Sequence, residues 1–327
     1  MAASTTQLVT VDIGGTHARF ALGEIAADGQ ISLADPTTLR TSDFASFQTA
    51  WQHFSKTCGD SLPHAVSIAV AGPVGDKIIR FTNNPWIIRP ALVKEKLGVD
   101  AFTIVNDFGA VAHTVACAPD DRFMHLTGPD VPLPAEGTIS VVGPGTGLGV
   151  AHLWRGKGGY RVQPTEGGHG DFAPLDQIED AMLARLRKRH TRVSVERVVS
   201  GPAIVDIYQT LAALEGRAVT ERGDRELWEA GVGGEDALAA AAVDRFCLSL
   251  GAVAGDYALA HGATGVVIAG GLGYRIRETL RDSTFADRFR AKGRFEQLMA
   301  QIPVKLITHP EPGLFGAAAA FARQHLG

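Results

Sequence analysis

VDIGGTHARFAL, residues 11–22, decides how the chain is organised. Leu8 to Ile13 is an apolar run that reads as a strand, and it ends in Gly14-Gly15-Thr16. His17 to Gly23 then reads as an antiparallel return strand, because a short glycine-rich break between two apolar runs is the signal of a hairpin. A second cycle begins at VVGPGTGLGVAHL, residues 141–153. Thr138 to Val142 is a strand, Gly143 to Gly149 a glycine turn, and Val150 to Trp154 the return strand. After the first hairpin come strands at Ala65 to Ala71, stopped by Gly72-Pro73, and at Phe102 to Val105, which runs into Asn106-Asp107 and a helix over Phe108 to Cys117. After the second come helices over Ile178 to His190, Pro202 to Leu214 and Leu238 to His261. The strand Gly265 to Ala269, ended by Gly270-Gly271, follows, then the strand Val304 to Ile307 and a small-residue helix over Leu314 to Gln324. One hairpin pattern used twice, each time followed by alternating strands and helices, predicts two related α/β domains facing each other across a cleft.

Composition agrees and narrows the function. The 327 residues suggest two domains at about 150 residues each. With 45% hydrophobic and 20% charged residues, a sizeable core can form. Thirty-one basic against 35 acidic residues give a net charge of −4, so no overall field draws the chain to nucleic acid or to an anionic membrane. Cys58, Cys117 and Cys247 are widely spaced, which excludes a disulfide scaffold and a zinc ribbon and fits a reducing cytoplasm. The opening MAASTTQ has neither the basic nor the apolar region of a secretory leader. The apolar stretch from Ala237 to Ala260 is interrupted by Asp244, Arg245 and Asp256 and reads as a core helix.

Glycine turns expose consecutive backbone N–H groups that hold phosphate oxygens without a lysine. Neither the G-x-x-x-x-G-K-[ST] loop nor a strand–G-x-G-x-x-G–helix fingerprint is present, and a glycine turn taken alone is most often a plain hairpin, but two such turns with Gly270-Gly271 at a third strand end shift the balance toward phosphate binding. Asn106-Asp107, where a strand gives way to a helix, is open to two readings: a helix N-cap, or a carboxylate held at a sheet edge as a base for a hydroxyl. Glu166-Gly167-Gly168-His169 brings a carboxylate and an imidazole onto one tight loop, either as structure or facing several hydroxyls; with the cysteines distant, metal ligation is disfavoured. Glu196-Arg197 could be a surface ion pair.

Together these segments resemble the bacterial ATP-dependent glucokinase family of the hexokinase–actin-like superfamily. The resemblance rests on VDIGGTHARFAL (11–22), SIAVAGPV (67–74), FTNNPW (81–86), IVNDFGAV (104–111), VVGPGTGLGVAHL (141–153), EGGHGDFAP (166–174), ERVVSGP (196–202), VIAGGL (267–272), KGRF (292–295) and PGLFGAAAA (312–320), in order along nearly the whole chain. It implies a two-domain hexokinase/actin-like, ribonuclease H-like α/β fold, with a smaller domain over 1–116 and 309–327 and a larger one over 117–308.

The roles it implies fall on particular residues. Asp12, Gly14, Gly15 and Thr16 would cradle ATP phosphates, with Asp12 reaching Mg²⁺ through water. Gly143, Gly145, Thr146 and Gly147 would hold the phosphates from the other domain, and Gly270 and Gly271 match the adenosine loop. Asn106 and Asp107 match the sugar-binding pair, with Asp107 as catalytic base, and Glu166, His169 and Glu196 match the remaining ligands of the sugar hydroxyls. The loop Asn83-Asn84-Pro85-Trp86 would lie near the sugar. The expected reaction is ATP-dependent phosphorylation of D-glucose at its 6-hydroxyl, the first step of glycolytic glucose use, in a cytoplasmic homodimer that binds neither nucleic acid nor membrane.

The chain departs from the family pattern at His17, where Asn is common after GGT, which puts an amide contact there in doubt. The absence of cysteine between Cys117 and Cys247 argues against the related repressor–kinase branch, and a first strand at about Leu8 leaves no room for an N-terminal helix-turn-helix. A kinase for another sugar, or a sugar-sensing regulator, are the competing readings.

Overall fold

In the computed structural model, which describes residues 5–59, 61–75, 77–81 and 84–327, the segment around Val11 is a hairpin. Strands β1 (Thr6–Ile13) and β2 (His17–Ile25) pair antiparallel down to Ile13 opposite Ala18, with Gly14–Thr16 between the two strands. Two short strands, β3 (Ile31–Leu33) and β4 (Thr37–Arg40), both pair with β2. They are short and half polar, the usual character of an edge, and carry little apolar periodicity for a sequence reading to detect. Helix α1 (Phe47–Thr57) starts at Ser46, whose hydroxyl accepts from the Thr49 N–H in a reciprocal capping box. Strand β5 (Ala65–Val70) is buried along its whole length and runs parallel to β1, as a continuous apolar run in a sheet covered on both faces should. A small pair, β6 (Ile79–Arg80) and β7 (Ile87–Ile88), and helix α2 (Val93–Leu97) lead to β8 (Ala101–Asn106), parallel to β5, and to α3 (Asp107–Cys117).

The chain divides into two units, one of Met1–Ala118 with His309–Gly327 and the other of Pro119–Thr308. The first unit is completed by the C-terminal helix, Pro312–His325, with Pro at its start, where the missing N–H is harmless. This helix lies so close to α3 that a Cβ on Gly316 would overlap the Ala110 carbonyl oxygen. The Thr114 hydroxyl donates to the Pro312 carbonyl, and the Ser67 hydroxyl donates to Ala317 O at 2.6 Å.

The second unit repeats the plan. Its strands are β9 (Phe123–Thr127), β10 (Gly137–Pro144), β11 (Leu148–Gly156), β12 (Gly159–Thr165), β13 (Ala263–Ile268) and β14 (Val304–Ile307). Its helices are α4 (Gln177–Arg187), α5 (Ala203–Leu214), α6 (Asp224–Gly233), α7 (Ala237–His261), α8 (Gly270–Arg275), α9 (Arg277–Asp282), α10 (Phe285–Arg290) and α11 (Glu296–Ala300). The sheet order β12-β11-β10-β13-β14-β9 reproduces β3-β2-β1-β5-β8 of the first unit, including the antiparallel hairpin and the two parallel neighbours, and adds β9 antiparallel at the edge. Helix α7 is long and apolar enough to cross a membrane by composition alone, but 67% of its apolar window is buried in the unit's own core, beside residues such as Trp228, Phe285 and Phe289.

The second glycine turn is tighter than the spacing of its glycines suggests. The expected turn over Gly143 to Gly149 shrinks to Gly145-Thr146-Gly147, because β10 continues to Pro144 and β11 resumes at Leu148, with Gly143 opposite Gly149. Glycine accepts an extended backbone as readily as a turn, so alternate glycines do not interrupt a ladder. Likewise Gly270 and Gly271 do more than stop a strand: they open α8.

Candidate active site

In the first unit Ile13, Val70 and Asn106 are in register at the C-terminal ends of three parallel neighbours, β1, β5 and β8. Loops leaving this edge of a parallel sheet are the common place for ligands. Asn106 caps α3. Its Oδ1 accepts from the Gly109 N–H at 2.9 Å, and its Nδ2 donates to Gly72 O at 3.1 Å. The capping role therefore falls on Asn106, and Asp107 is left as the first residue of the helix, with Oδ1 accepting from the Phe108 N–H at 2.8 Å.

Asp12, near the end of β1, lies beside this pair. Burial pushes its carboxyl from 3.8 up to about 6; Arg19 opposes the rise, while the charges of Asp107 and Glu311 add to it. Arg19 lies 3.8 Å from Asp12 and 3.7 Å from Glu311. The C-terminal helix closes over the carboxylate at Gly313, where a Cβ would stand 2.6 Å from Asp12 Oδ2. Sequence reasoning singled out neither Arg19 nor Glu311. The ladder closes on Ile13 opposite Ala18, which places Arg19 directly across from Asp12. Glu311 is brought in only by the docking of the C-terminal helix.

At the first turn, the Gly14 N–H donates to His17 O at 2.9 Å. The departure at His17 places its Nδ1 3.0 Å from the Thr16 hydroxyl. Asn84 belongs with this turn: it is buried, its Nδ2 donates to Gly14 O at 3.3 Å, and its Oδ1 accepts from the Trp86 N–H at 2.9 Å. Asn83, expected near the sugar with Asn84, lies outside the described residues.

The second unit gathers the other predicted residues around Leu148. The turn closes with Gly145 N–H donating to Gly147 O at 2.8 Å, and the Gly201 N–H donates to Gly145 O at 2.7 Å. The Leu148 N–H donates to Glu196 Oε2 at 2.8 Å, and a Cβ on Gly147 would stand 2.5 Å from the same oxygen. On the other side of Leu148, the loop bearing Glu166 and His169 packs so that a Cβ on Gly168 would overlap the Leu148 carbonyl. This loop is joined to the Glu196 segment by Val195 N–H donating to Gly170 O and Phe172 N–H donating to Val193 O. It is also pinned by the Tyr257 hydroxyl, which donates to Gly167 O at 2.7 Å. Glu166 and His169 are exposed, 3.9 Å apart at their nearest side-chain atoms. Glu196 thus serves the turn, and a Glu196–Arg197 pair is not among the described ion pairs. Gly270, at φ +81°, lies against the end of β10, where a Cβ would stand 2.5 Å from Pro144 O; Gly271 follows it into α8.

The structure therefore brings Asp12, Gly14–Thr16, Asn106 and Asp107 together in one unit. In the other it brings together Gly143–Gly147, Glu166, His169, Glu196 and Gly270–Gly271. Among the described residues, no group of three or more His, Cys, Asp or Glu forms a metal cage.

Comparison with known proteins places this geometry. The family model described as Glucokinase matches residues 9–325. The chain is 54% identical over 319 residues to a glucokinase of Zymomonas mobilis, an alignment covering 98% of each chain. Among solved structures, the glucokinase of an Antarctic psychrotroph superposes with a TM-score of 0.86 at 33% identity, covering 97% of this chain and 99% of that one. A ROK family glucokinase of Streptomyces griseus, solved with glucose and AMPPNP, shares the fold at a TM-score of 0.63 and 20% identity, over 97% of this chain and 99% of that one. With a family match over nearly its full length and a relative more than half identical across it, the chain belongs to the glucokinase family.

Proposed function

We propose that the protein transfers the γ-phosphoryl group of ATP to the 6-hydroxyl of D-glucose, giving glucose 6-phosphate and ADP. The observation that carries this reading is the Asn106–Asp107 junction: the neighbouring amide caps α3, and the Asp107 carboxylate stands in the first helical turn near enough to Asp12 for the two charges to interact. Phosphoryl transfer through a loose transition state asks the protein mainly to position groups and to neutralise charge. Asp107 accepts the proton of the 6-hydroxyl as that oxygen attacks phosphorus and the bond to the β-phosphate oxygen breaks. Backbone N–H groups of Gly15 and Thr16 receive phosphoryl oxygens, and Gly143, Gly145, Thr146 and Gly147 serve the nucleotide from the second unit, with Gly270 and Gly271 near its adenosine.

Glu166, His169 and Glu196 bind the remaining sugar hydroxyls. A sugar that lacks or inverts one leaves a polar group unpaired at about 1–3 kcal/mol, so mannose and fructose are poorer substrates. Asp12 fits a hydrated cation, because its carboxyl is crowded by Asp107 and Glu311 against a single nearby guanidinium. Asp12 would hold Mg²⁺ through water, and the ion would supply neutralisation of phosphoryl charge. The cysteines are all free thiols, in keeping with a cytoplasmic enzyme. A homodimer acting at the first step of glucose catabolism completes the reading.

The test is coupled ADP release by wild type and Asp107→Asn with Mg·ATP and glucose, mannose, fructose, galactose or N-acetylglucosamine. Glucose is expected to dominate, and the variant is expected to bind glucose but turn over ~10³-fold more slowly. Another dominant sugar would replace the substrate, and no turnover with any sugar would make the chain a binding or regulatory relative.

A further inference from the structure

Resting on the reading of Gly14–Thr16 as a phosphate turn, we infer that Thr41 is the positioning residue that aims its amides. Thr41 is buried and follows β4, whose last residue, Arg40, is the ladder partner of His17. Its hydroxyl donates to Gly15 O at 2.9 Å and its own N–H donates to Thr16 O at 3.0 Å. Asn84 takes the preceding carbonyl, Gly14 O. Three consecutive carbonyls of the turn are therefore held by two buried residues, 26 and 70 positions away along the chain for the side-chain bonds.

A trans peptide unit is planar, with its N–H directed opposite to its C=O. Fixing the carbonyls of Gly14 and Gly15 therefore fixes the N–H groups of Gly15 and Thr16, which belong to the same two peptide units, on the opposite side. Among the described residues neither N–H donates to an acceptor. Two adjacent amides, each set by a carbonyl bond on the far side of its peptide, can serve as an anion nest that does not have to reorganise when a phosphate arrives. In a glycine-rich turn this support matters most, because glycine peptides otherwise rotate freely.

The experiment measures Mg·AMPPNP affinity by calorimetry and KM for ATP and for glucose in wild type, Thr41→Val and Thr41→Ser. It also follows the amide ¹⁵N–¹H resonances of Gly15 and Thr16 in wild type as Mg·AMPPNP is added. Valine keeps the shape and the backbone N–H and removes only the hydroxyl. Thr41→Val is expected to weaken AMPPNP and raise KM for ATP by about tenfold, the equivalent of one hydrogen bond. Its KM for glucose is expected to stay unchanged, Thr41→Ser to restore wild-type values, and both wild-type resonances to shift on nucleotide binding. If those resonances do not move in wild type, the phosphate-turn reading itself fails. If they move but Thr41→Val binds AMPPNP as wild type does, or loses ATP and glucose equally along with thermal stability, the positioning role is overturned. Should Thr41→Val not fold, Thr41→Ala, which also frees Gly15 O, is measured against the same criteria with the same expected direction.

Discussion

The two glycine turns stand at the same place in two copies of one sheet plan, yet they are held in opposite ways. At Gly14–Thr16 the surroundings grip carbonyls, through Thr41 and Asn84. At Gly145–Gly147 a carboxylate grips an amide, the Leu148 N–H, while Gly201 takes the Gly145 carbonyl. A turn held by its carbonyls presents N–H groups and suits an anion. A turn followed by an amide that already serves Glu196 has a negative charge beside it. A repeated topology therefore need not repeat its bracing: the first turn is held by its carbonyls from Thr41 and Asn84, while the second is tied through Leu148 and Gly145 to the segments that carry Glu196 and Gly201.

The largest expected effect lies in the helix packing that supports the first turn. Gly316→Ala would drive a methyl group into the Ala110 carbonyl, backbone against backbone, with no side chain free to move aside. A loss of about 3 kcal/mol or more is expected in urea unfolding. Near-wild-type stability would mean that the C-terminal helix is not seated as described.

Next comes the grip on the second turn. Glu196→Ala leaves the Leu148 N–H without its acceptor and is expected to lower stability by about 1–3 kcal/mol as well as weakening glucose. Glu196→Gln keeps an acceptor, so it should recover most of the stability while glucose KM remains raised. If Ala and Gln unfold alike and alike to wild type, the contrast between the turns collapses.

The smallest effect is a pH dependence at the first turn. Asp12 has a folded pKa raised from 3.8 to about 6, so its protonated form is the one the fold prefers. Its contribution to stability is full below about pH 4 and is lost as pH rises through about 6. Asp12→Asn should therefore match wild type at pH 4 and exceed it at pH 8 in the absence of nucleotide, while losing activity. Because the ionised form is the one a cation needs, kcat/KM for ATP in wild type should fall as pH drops below about 6. Equal stability of the two proteins at pH 8 would show that Asp12 is not held in the environment described.

Much of this was legible without coordinates. Short apolar runs, several of them ended by glycine, located β1, β2, β5, β8, β10, β11, β13 and β14, because strand signals are local. The junction at Asn106-Asp107 stood out for the same reason: a strand, a capping residue and a helix are neighbours along the chain. The short polar strands β3 and β4 and the edge strand β12 were missed, since their pairing is settled by neighbours distant in sequence. The true extent of the second turn was missed because glycine is compatible with both turn and ladder.

By itself the sequence determined the two hairpins, the candidate carboxylates and, through motifs in order from end to end, the family. These depend on which residues are adjacent and which backbone shapes they allow. Only the tertiary structure decided that the Asn106 amide is braced on Gly72 while it caps α3, that Thr41 and Asn84 hold the first turn, and that Glu196 holds the second. It also decided that Gly313 and Gly316 let a helix from the far end of the chain close on Asp12 and α3. Those are contacts between segments tens to hundreds of residues apart, and burial selects them only when the packed elements fit.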